Sequence, residues 1–82
     1  MSLKELRTDR KVIGSKQVKK AIAEGKTQKV YLAVDAEPHI TIPLKELCAQ
    51  YGVLLEQTYT MKELGMICEI EVGAAAVALL QI

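Results

Sequence analysis

Three lysines, Lys16, Lys19 and Lys20, are gathered with Gln17 directly behind the dipeptide Gly14-Ser15. A glycine lets the chain turn tightly and a serine hydroxyl is a good helix N-cap, so a helix is expected to begin here with Ser15 as its cap. Lys19 and Lys20 both fall about one turn from Lys16, which puts three ammonium groups on one face around the helix start. That end of a helix already carries partial positive charge from its unpaired amides, so carboxylates are favoured there and lysines are mildly unfavourable. Such a face suits an anion, and a polyanion best. The plainer reading is a solvated lysine face.

Catalysis finds little material. His39 is the chain's only histidine and follows Pro38, where it is expected to cap or begin a helix. Cys48 and Cys68 lie far apart with no C-x-x-C pattern and fall on apolar helix stripes, where a thiol behaves as a small buried apolar group. Glu69 and Glu71 would point the same way in an extended stretch, but no acid or nucleophile partner accompanies them. No phosphate-binding loop, zinc spacing or dinucleotide fingerprint occurs, so no catalytic residue, metal site or cofactor is expected.

Charge divides the chain. The formal net charge is +1, yet the first 29 residues hold nine basic side chains against three acidic ones, and the remainder holds two against seven. The two parts therefore carry +6 and −5, which gives a compact domain a positive pole able to steer polyanions. A nucleic acid or an acidic protein surface is the implied class of partner. With three tyrosines and neither Trp nor Phe, a sheet face that stacks bases is not expected.

The elements that must hold these residues alternate. At 82 residues the chain is one small domain, 1–82, with 50% hydrophobic and 26% charged residues, which excludes disorder. No apolar run reaches the roughly 18 to 20 residues of a membrane span, and no signal core follows a basic start, so a cytoplasmic monomer with no membrane partner is expected. Ser2 to Arg10 reads as a short helix and Lys11-Val12-Ile13 as a brief strand. The basic helix runs to about Glu24, burying Val18, Ala21 and Ile22, and stops at Gly25. Lys29 to Val34 is the central strand. A turn at Asp35 to Pro38 leads to a helix best defined from Pro43 through Tyr51, ended by Gly52. Val53 to Gln57 is a strand. Thr60 and Glu63 form a capping box for a last helix with apolar positions Met61, Leu64, Ile67 and Cys68. Ile70 to Ala76 is a loop of small residues before a closing strand, Val77 to Ile82. Strands alternating with helices argue for an α/β fold, a three-layer α/β/α sandwich.

Taken together, Gly14-Ser15-Lys16-Gln17-x-x-Lys20, Leu64-Gly65 and Ile70-Glu71-Val72-Gly73-Ala74-Ala75-Ala76 resemble the ribosomal kink-turn RNA-binding proteins. This is the group of archaeal L-seven-Ae and eukaryotic L-thirty-e, and the chain is most similar to its small bacterial relatives. The resemblance runs from Val12 to Leu80 and rests on two motifs at the right separation. It implies a four-stranded mixed sheet and a non-catalytic protein that recognises kinked, structured RNA, ribosomal or riboswitch-like, with the ribosome as a possible setting.

It further implies that the start of the basic helix and the loop before the last strand grip one RNA element. Many members read Gly-Thr-Asn-Glu-x-x-Lys, which puts Gly14, Ser15, Lys16, Gln17 and Lys20 at the matching positions, with Lys19 alongside. The family motif reads guanine N7 and O6 in a groove that regular A-form RNA keeps too deep and narrow to enter. Gln17 donates as well as accepts where glutamate only accepts, and Lys16 replaces an amide by a charge suited to phosphate. Ile70, Glu71 and Val72 would hold the protruding nucleotide, apolar surface against the base and the carboxylate toward a 2′-hydroxyl or amino group. Relatives commonly have glycine where this chain has Glu69, which costs loop flexibility and adds negative charge beside RNA. Without the resemblance, Ile70 and Val72 are loop anchors. The competing function is a protein-interaction module on the same scaffold, for which the basic helix start has no use.

Overall fold

The computed structural model describes residues 10–81. In chain order its elements are β1 (Lys11–Ile13), α1 (Ser15–Ala23), β2 (Thr27–Leu32), α2 (Pro38–Tyr51), β3 (Leu54–Glu56), α3 (Met61–Ile67) and β4 (Ala76–Leu80). The helix expected over Ser2 to Arg10 falls outside the described residues but for Arg10, whose carbonyl accepts from the Leu80 N–H at 2.9 Å.

The four strands form one mixed sheet in the order β1-β4-β2-β3, as expected for a sandwich with a mixed sheet. β2 and β3 run parallel, with Val30 opposite Leu55, while β4 lies antiparallel to both β1 and β2, with Ala78 opposite Val12 and Val30. Side chains alternate across a strand, so the interior strands β2 and β4 feed two cores. Val30, Leu32, Ala76 and Ala78 point to one face and pack with Val18 and Ile22 of α1 and Leu44 and Cys48 of α2. Tyr31, Ala33, Val77 and Leu79 point to the other and pack with Leu64 and Cys68 of α3. The result is three layers. Each fully buried Leu, Ile or Val adds about 1.5 to 3 kcal/mol relative to exposure.

Several boundaries move: β3 is trimmed to Leu54–Glu56, β4 starts at Ala76 rather than Val77, and the larger shifts are in β2 and α2. β2 begins at Thr27, two residues before the expected Lys29, because a polar residue opens it and a bulge between Thr27 and Lys29 breaks the apolar pattern. It also ends at Leu32, since the Val34 N–H turns away to the Tyr59 carbonyl at 2.8 Å. α2 begins at Pro38 rather than Pro43, five residues earlier than the sequence suggests. Pro38 takes the first-turn place that needs no N–H, and Pro43 is carried inside the helix, where it lacks the donor for the His39 carbonyl. Expectation and structure agree on the ends at Gly52, which is left-handed with φ 66°, and on the Thr60–Glu63 capping box, with bonds of 3.1 and 2.9 Å.

Candidate nucleic-acid interface

The start of α1 is built from backbone rather than from a side-chain cap. Gly14 takes the cap position at φ 106°, a conformation other residues rarely adopt, and Ser15 is already the first helical residue. The expected Ser15 cap is therefore replaced by a glycine cap. The Gly14 N–H donates to the Ala76 carbonyl at 2.9 Å, and its own carbonyl accepts from the Val18 N–H at 2.9 Å. No side chain caps the first turn and no acidic residue lies in it.

Lys16, Gln17, Lys19 and Lys20 are all exposed. Among the described residues the two ion pairs, the exposed Lys26–Glu24 at 3.4 Å and the part-buried Lys29–Glu56 at 2.9 Å, leave out Lys16, Lys19 and Lys20. The three do not share a single hollow. Ser15, Lys16 and Lys19 line a depression against α2, completed by His39, Pro43 and Leu44. Gln17 and Lys20 line another on the far flank, with Val12, Glu24, Lys26 and Leu80. The reason is helical geometry: Lys19 and Lys20 each stand near Lys16 but are about 100° apart from one another. They straddle the ridge of α1.

The loop after α3 is held by its backbone. α3 closes with the Glu69 N–H bonded to the Met66 carbonyl at 3.1 Å and the Ile70 N–H to the Gly65 carbonyl at 3.0 Å, the paired bonds of a Schellman ending. Glu69 occupies its left-handed position at φ 62°, the one described non-glycine residue with positive φ. Glutamate thus stands on the helix stop, where a side chain is disfavoured, and its cost is backbone strain at the cap.

Beyond it, Ile70 is half-buried against the Tyr31–Leu64 core, Glu71 is exposed and Val72 is 70% exposed. The two apolar residues therefore differ, with Ile70 anchoring the loop and Val72 presented outward. Ile70, Glu71 and Val72 line an open hollow of about 360 Å³ with Asp35, Met61 and Met66.

Asp35 and Gly65 position this loop, and neither was singled out as a site residue from sequence. Asp35 Oδ1 accepts from the Met61 N–H at 2.8 Å, fastening the start of α3 to the turn after β2. A Cβ on Gly65 would strike the Val72 carbonyl oxygen and approach Gly73 Cα at 3.1 Å, so only glycine lets the loop backbone lie against α3. The signal available in sequence was a glycine inside a helical stretch, which marks close packing. The Ala74 N–H then returns to the Met61 carbonyl at 3.0 Å, and the Ala33 N–H donates to Ala75 at 2.9 Å.

Two segments from opposite ends of the sequence meet here. The Gly14–Ala76 hydrogen bond ties the first residues of α1 to the residue that ends the loop and starts β4. The other chemistry stays apart. Cys48 and Cys68 are buried, and burial pushes both thiols up, with Lys11 partly opposing this at Cys68; neither is a ready nucleophile. His39 is exposed in the first turn of α2. Among the described residues no three His, Cys, Asp or Glu side chains cluster as metal ligands, and no helix is long and apolar enough to cross a membrane.

Comparison with known proteins points one way. The model of a family described as the ribosomal protein L7Ae/L30e/S12e/Gadd45 family matches residues 2–82. An RNA-binding protein of Caldanaerobacter subterraneus subsp. tengcongensis is 45% identical over 69 residues, covering 84% of each chain. An RNA-binding protein of Geobacillus sp. is 40% identical over 78 residues, covering 95% of each. In fold, the chain is similar to the Giardia lamblia 15.5 kD RNA binding protein, with a TM-score of 0.88 at 22% identity over 98% of this chain and 68% of that one.

Proposed function

Because the chain belongs to the ribosomal protein L7Ae/L30e/S12e/Gadd45 family, we propose that it is a non-catalytic RNA-binding protein that recognises a kink in structured RNA. The observation that carries this reading is the Gly14–Ala76 bond, which ties a lysine-flanked helix start without a side-chain cap to the first residue of β4, where the loop that carries Ile70, Glu71 and Val72 ends. RNA as the partner is supported by relatives that are themselves RNA-binding proteins.

In this mechanism Lys16, Lys19 and Lys20 neutralise backbone phosphates on both sides of the helix ridge. Each neutralised phosphate releases condensed counterions, which makes affinity fall with salt. The first-turn amides of Ser15 and Lys16 add donors for the same strand. Gln17 reaches a base edge in the groove that the kink opens, donating to a guanine acceptor. Gly14 keeps the chain tight beneath it. Val72 covers one face of an unstacked base, Ile70 holds the loop in place, and Glu71 accepts from a ribose hydroxyl or base amino group. The protein works as a single domain and a monomer, in the cytoplasm, on ribosomal or riboswitch-like RNA.

The test is a titration against a kink-turn RNA and a plain duplex of equal length at two salt concentrations. Sequence-independent binding typically has Kd about 10⁻⁴ to 10⁻⁶ M near physiological salt, and the kink-turn affinity is expected to be at least about a hundredfold tighter. Lys20→Ala should weaken binding to both RNAs, whereas Gln17→Ala should mainly erode the preference for the kink. Equal binding of kink-turn and duplex by the parent would overturn the reading in favour of a general polyanion patch.

A further inference from the structure

We propose that Asp35 is a positioning residue for RNA selectivity, its carboxylate setting the Ile70–Val72 loop through the peptide groups of Met61. The inference rests on the RNA-binding reading above and adds to it a residue that acts from the turn after β2.

Met61 is the first residue of α3, and an N–H in the first turn of a helix has no acceptor within the helix itself. The capping of α3 is divided between near and distant groups. Thr60 Oγ1 accepts from the Glu63 N–H at 3.1 Å and Glu63 Oε1 from the Thr60 N–H at 2.9 Å, both inside the helix start. The Met61 N–H is taken instead by Asp35 Oδ1 at 2.8 Å, from 26 residues away in sequence.

The other side of the same residue holds the loop. The Met61 carbonyl accepts from the Ala74 N–H at 3.0 Å, and Gly73 lies so close that a Cβ on it would come within 3.3 Å of Met61 Cβ. A relay of polar contacts thus runs from Asp35 through Met61 to the end of the loop. Its fixed end is the sheet: just before Asp35, the Ala33 N–H donates to the Ala75 carbonyl at 2.9 Å and the Val34 N–H to the Tyr59 carbonyl at 2.8 Å.

This fastening has weight because α3 has little else to fix it. The helix is seven residues long and buries only Leu64 and Gly65. The loop hangs from it at both ends, through the Ile70 N–H on the Gly65 carbonyl and the Ala74 N–H on the Met61 carbonyl. By contrast, α1 packs through Val18 and Ile22 on the opposite face of the sheet. Freeing Met61 from Asp35 therefore lets the loop shift relative to α1 while the lysines stay where they are. Preference for a kink depends on both segments, whereas general attraction to phosphate depends on the lysines alone. The two properties should separate.

Asp35 also borders the hollow beside Glu71 and Val72, so its acceptor oxygen and its charge have to be told apart. Asparagine keeps an acceptor oxygen and removes the charge; alanine removes both.

The experiment measures Kd for a kink-turn RNA and an equal-length duplex with the parent, Asp35→Ala, Asp35→Asn and Glu56→Gln, well below the melting temperature of each. Asp35→Ala is expected to lose about tenfold in preference for the kink-turn, the scale of one hydrogen bond, with duplex affinity and salt dependence unchanged. Asp35→Asn should keep the parent's preference. Glu56→Gln, which loosens the β3 edge of the sheet, should keep it too. Without RNA, amide hydrogen exchange in Asp35→Ala should quicken at Met61 and Ala74 and not at Val18. Full preference in Asp35→Ala would overturn the inference, as would an equal loss in Asp35→Asn, which would assign the effect to charge, or in Glu56→Gln, which would assign it to general loosening. If the parent itself fails to prefer the kink-turn, the functional reading falls first and this one with it.

Discussion

At the scale of single residues, Glu69 is the position where local chemistry and local geometry disagree most. It sits left-handed at φ 62° on the Schellman ending of α3, a place that glycine takes without steric cost. Glu69→Gly should therefore stabilise the fold by about 0.5 to 1 kcal/mol, the lower figure reflecting the greater freedom of glycine in the unfolded chain. Chemical denaturation of the two proteins measures this directly; a loss of stability would refute the strain. Gly65 is the opposite case. Its missing side chain makes room for the Val72 carbonyl, so Gly65→Ala should cost about 1 to 3 kcal/mol through overpacking. It should also push the loop away from α3, so that preference for kinked RNA falls while salt-dependent binding by the lysines persists. An alanine variant as stable and selective as the parent would show that the loop is not set by this contact.

Among the elements, the parallel pair β2–β3 depends on one cross-strand ion pair more than its short length suggests. β3 is an edge strand of three residues with Leu54 68% exposed. Lys29 Nζ donates to Glu56 Oε1 at 2.9 Å, with side chains 18% and 20% exposed, and the same ammonium lies 4.8 Å from the centre of the Tyr31 ring. Burial by itself would lower the Lys29 value, but the hydrogen bond to Glu56, with smaller help from Tyr31, leaves it raised. The hydrogen bond from Lys29 holds Glu56 below the usual carboxylate range, against an opposing effect of burial.

The signs follow by linkage. Glu56 contributes stability that is present above the ordinary glutamate range and lost as pH falls through its depressed folded value. Lys29 contributes stability that is present below the ordinary lysine range and lost as pH rises through its raised one. Replacing Glu56 by Gln should remove about 1 to 2 kcal/mol near neutrality, between the values for exposed and buried pairs. The loss should shrink toward acid pH, where the parent's own carboxylate becomes protonated. Urea midpoints measured between about pH 7 and pH 3 check this, and a pH-independent difference would count against the pair.

For the whole molecule, charge and fold act together. Nine of the eleven basic residues lie in the first 29, and the fold places the start of α1, which bears Lys16, Lys19 and Lys20, beside the loop before β4. Binding to any RNA should then weaken steeply with salt, by a log–log slope of about −0.7 to −0.9 per neutralised phosphate. Single alanine replacements of Lys16, Lys19 and Lys20 should each reduce that slope by roughly one. If one lysine leaves the slope unchanged, it does not meet phosphate, and the RNA lies on the other flank of α1.

The sequence by itself determined what local chemistry can determine. Periodicity fixed which residues of α1 are buried, Gly52 and the Thr60–Glu63 box marked helix ends, and the motifs of the basic helix and the Ile70–Ala76 loop indicated the family. These depend on spacings of a few residues or on recognisable runs. Where backbone rather than side chains made the decision, the sequence misled or was silent. Gly14 replaced Ser15 as the cap because its amide is pulled to the Ala76 carbonyl, a contact across most of the chain. α2 began early because Pro43, read as a start, is tolerated inside a helix whose first turn already holds Pro38. The separation of Lys16 and Lys19 from Gln17 and Lys20 appeared only when α2 and β1 closed on opposite flanks of α1. Gly65, Asp35 and His39 acquired their places from neighbours far away in sequence. Such contacts follow from how layers stack on the two interior strands, and no window of adjacent residues contains that information.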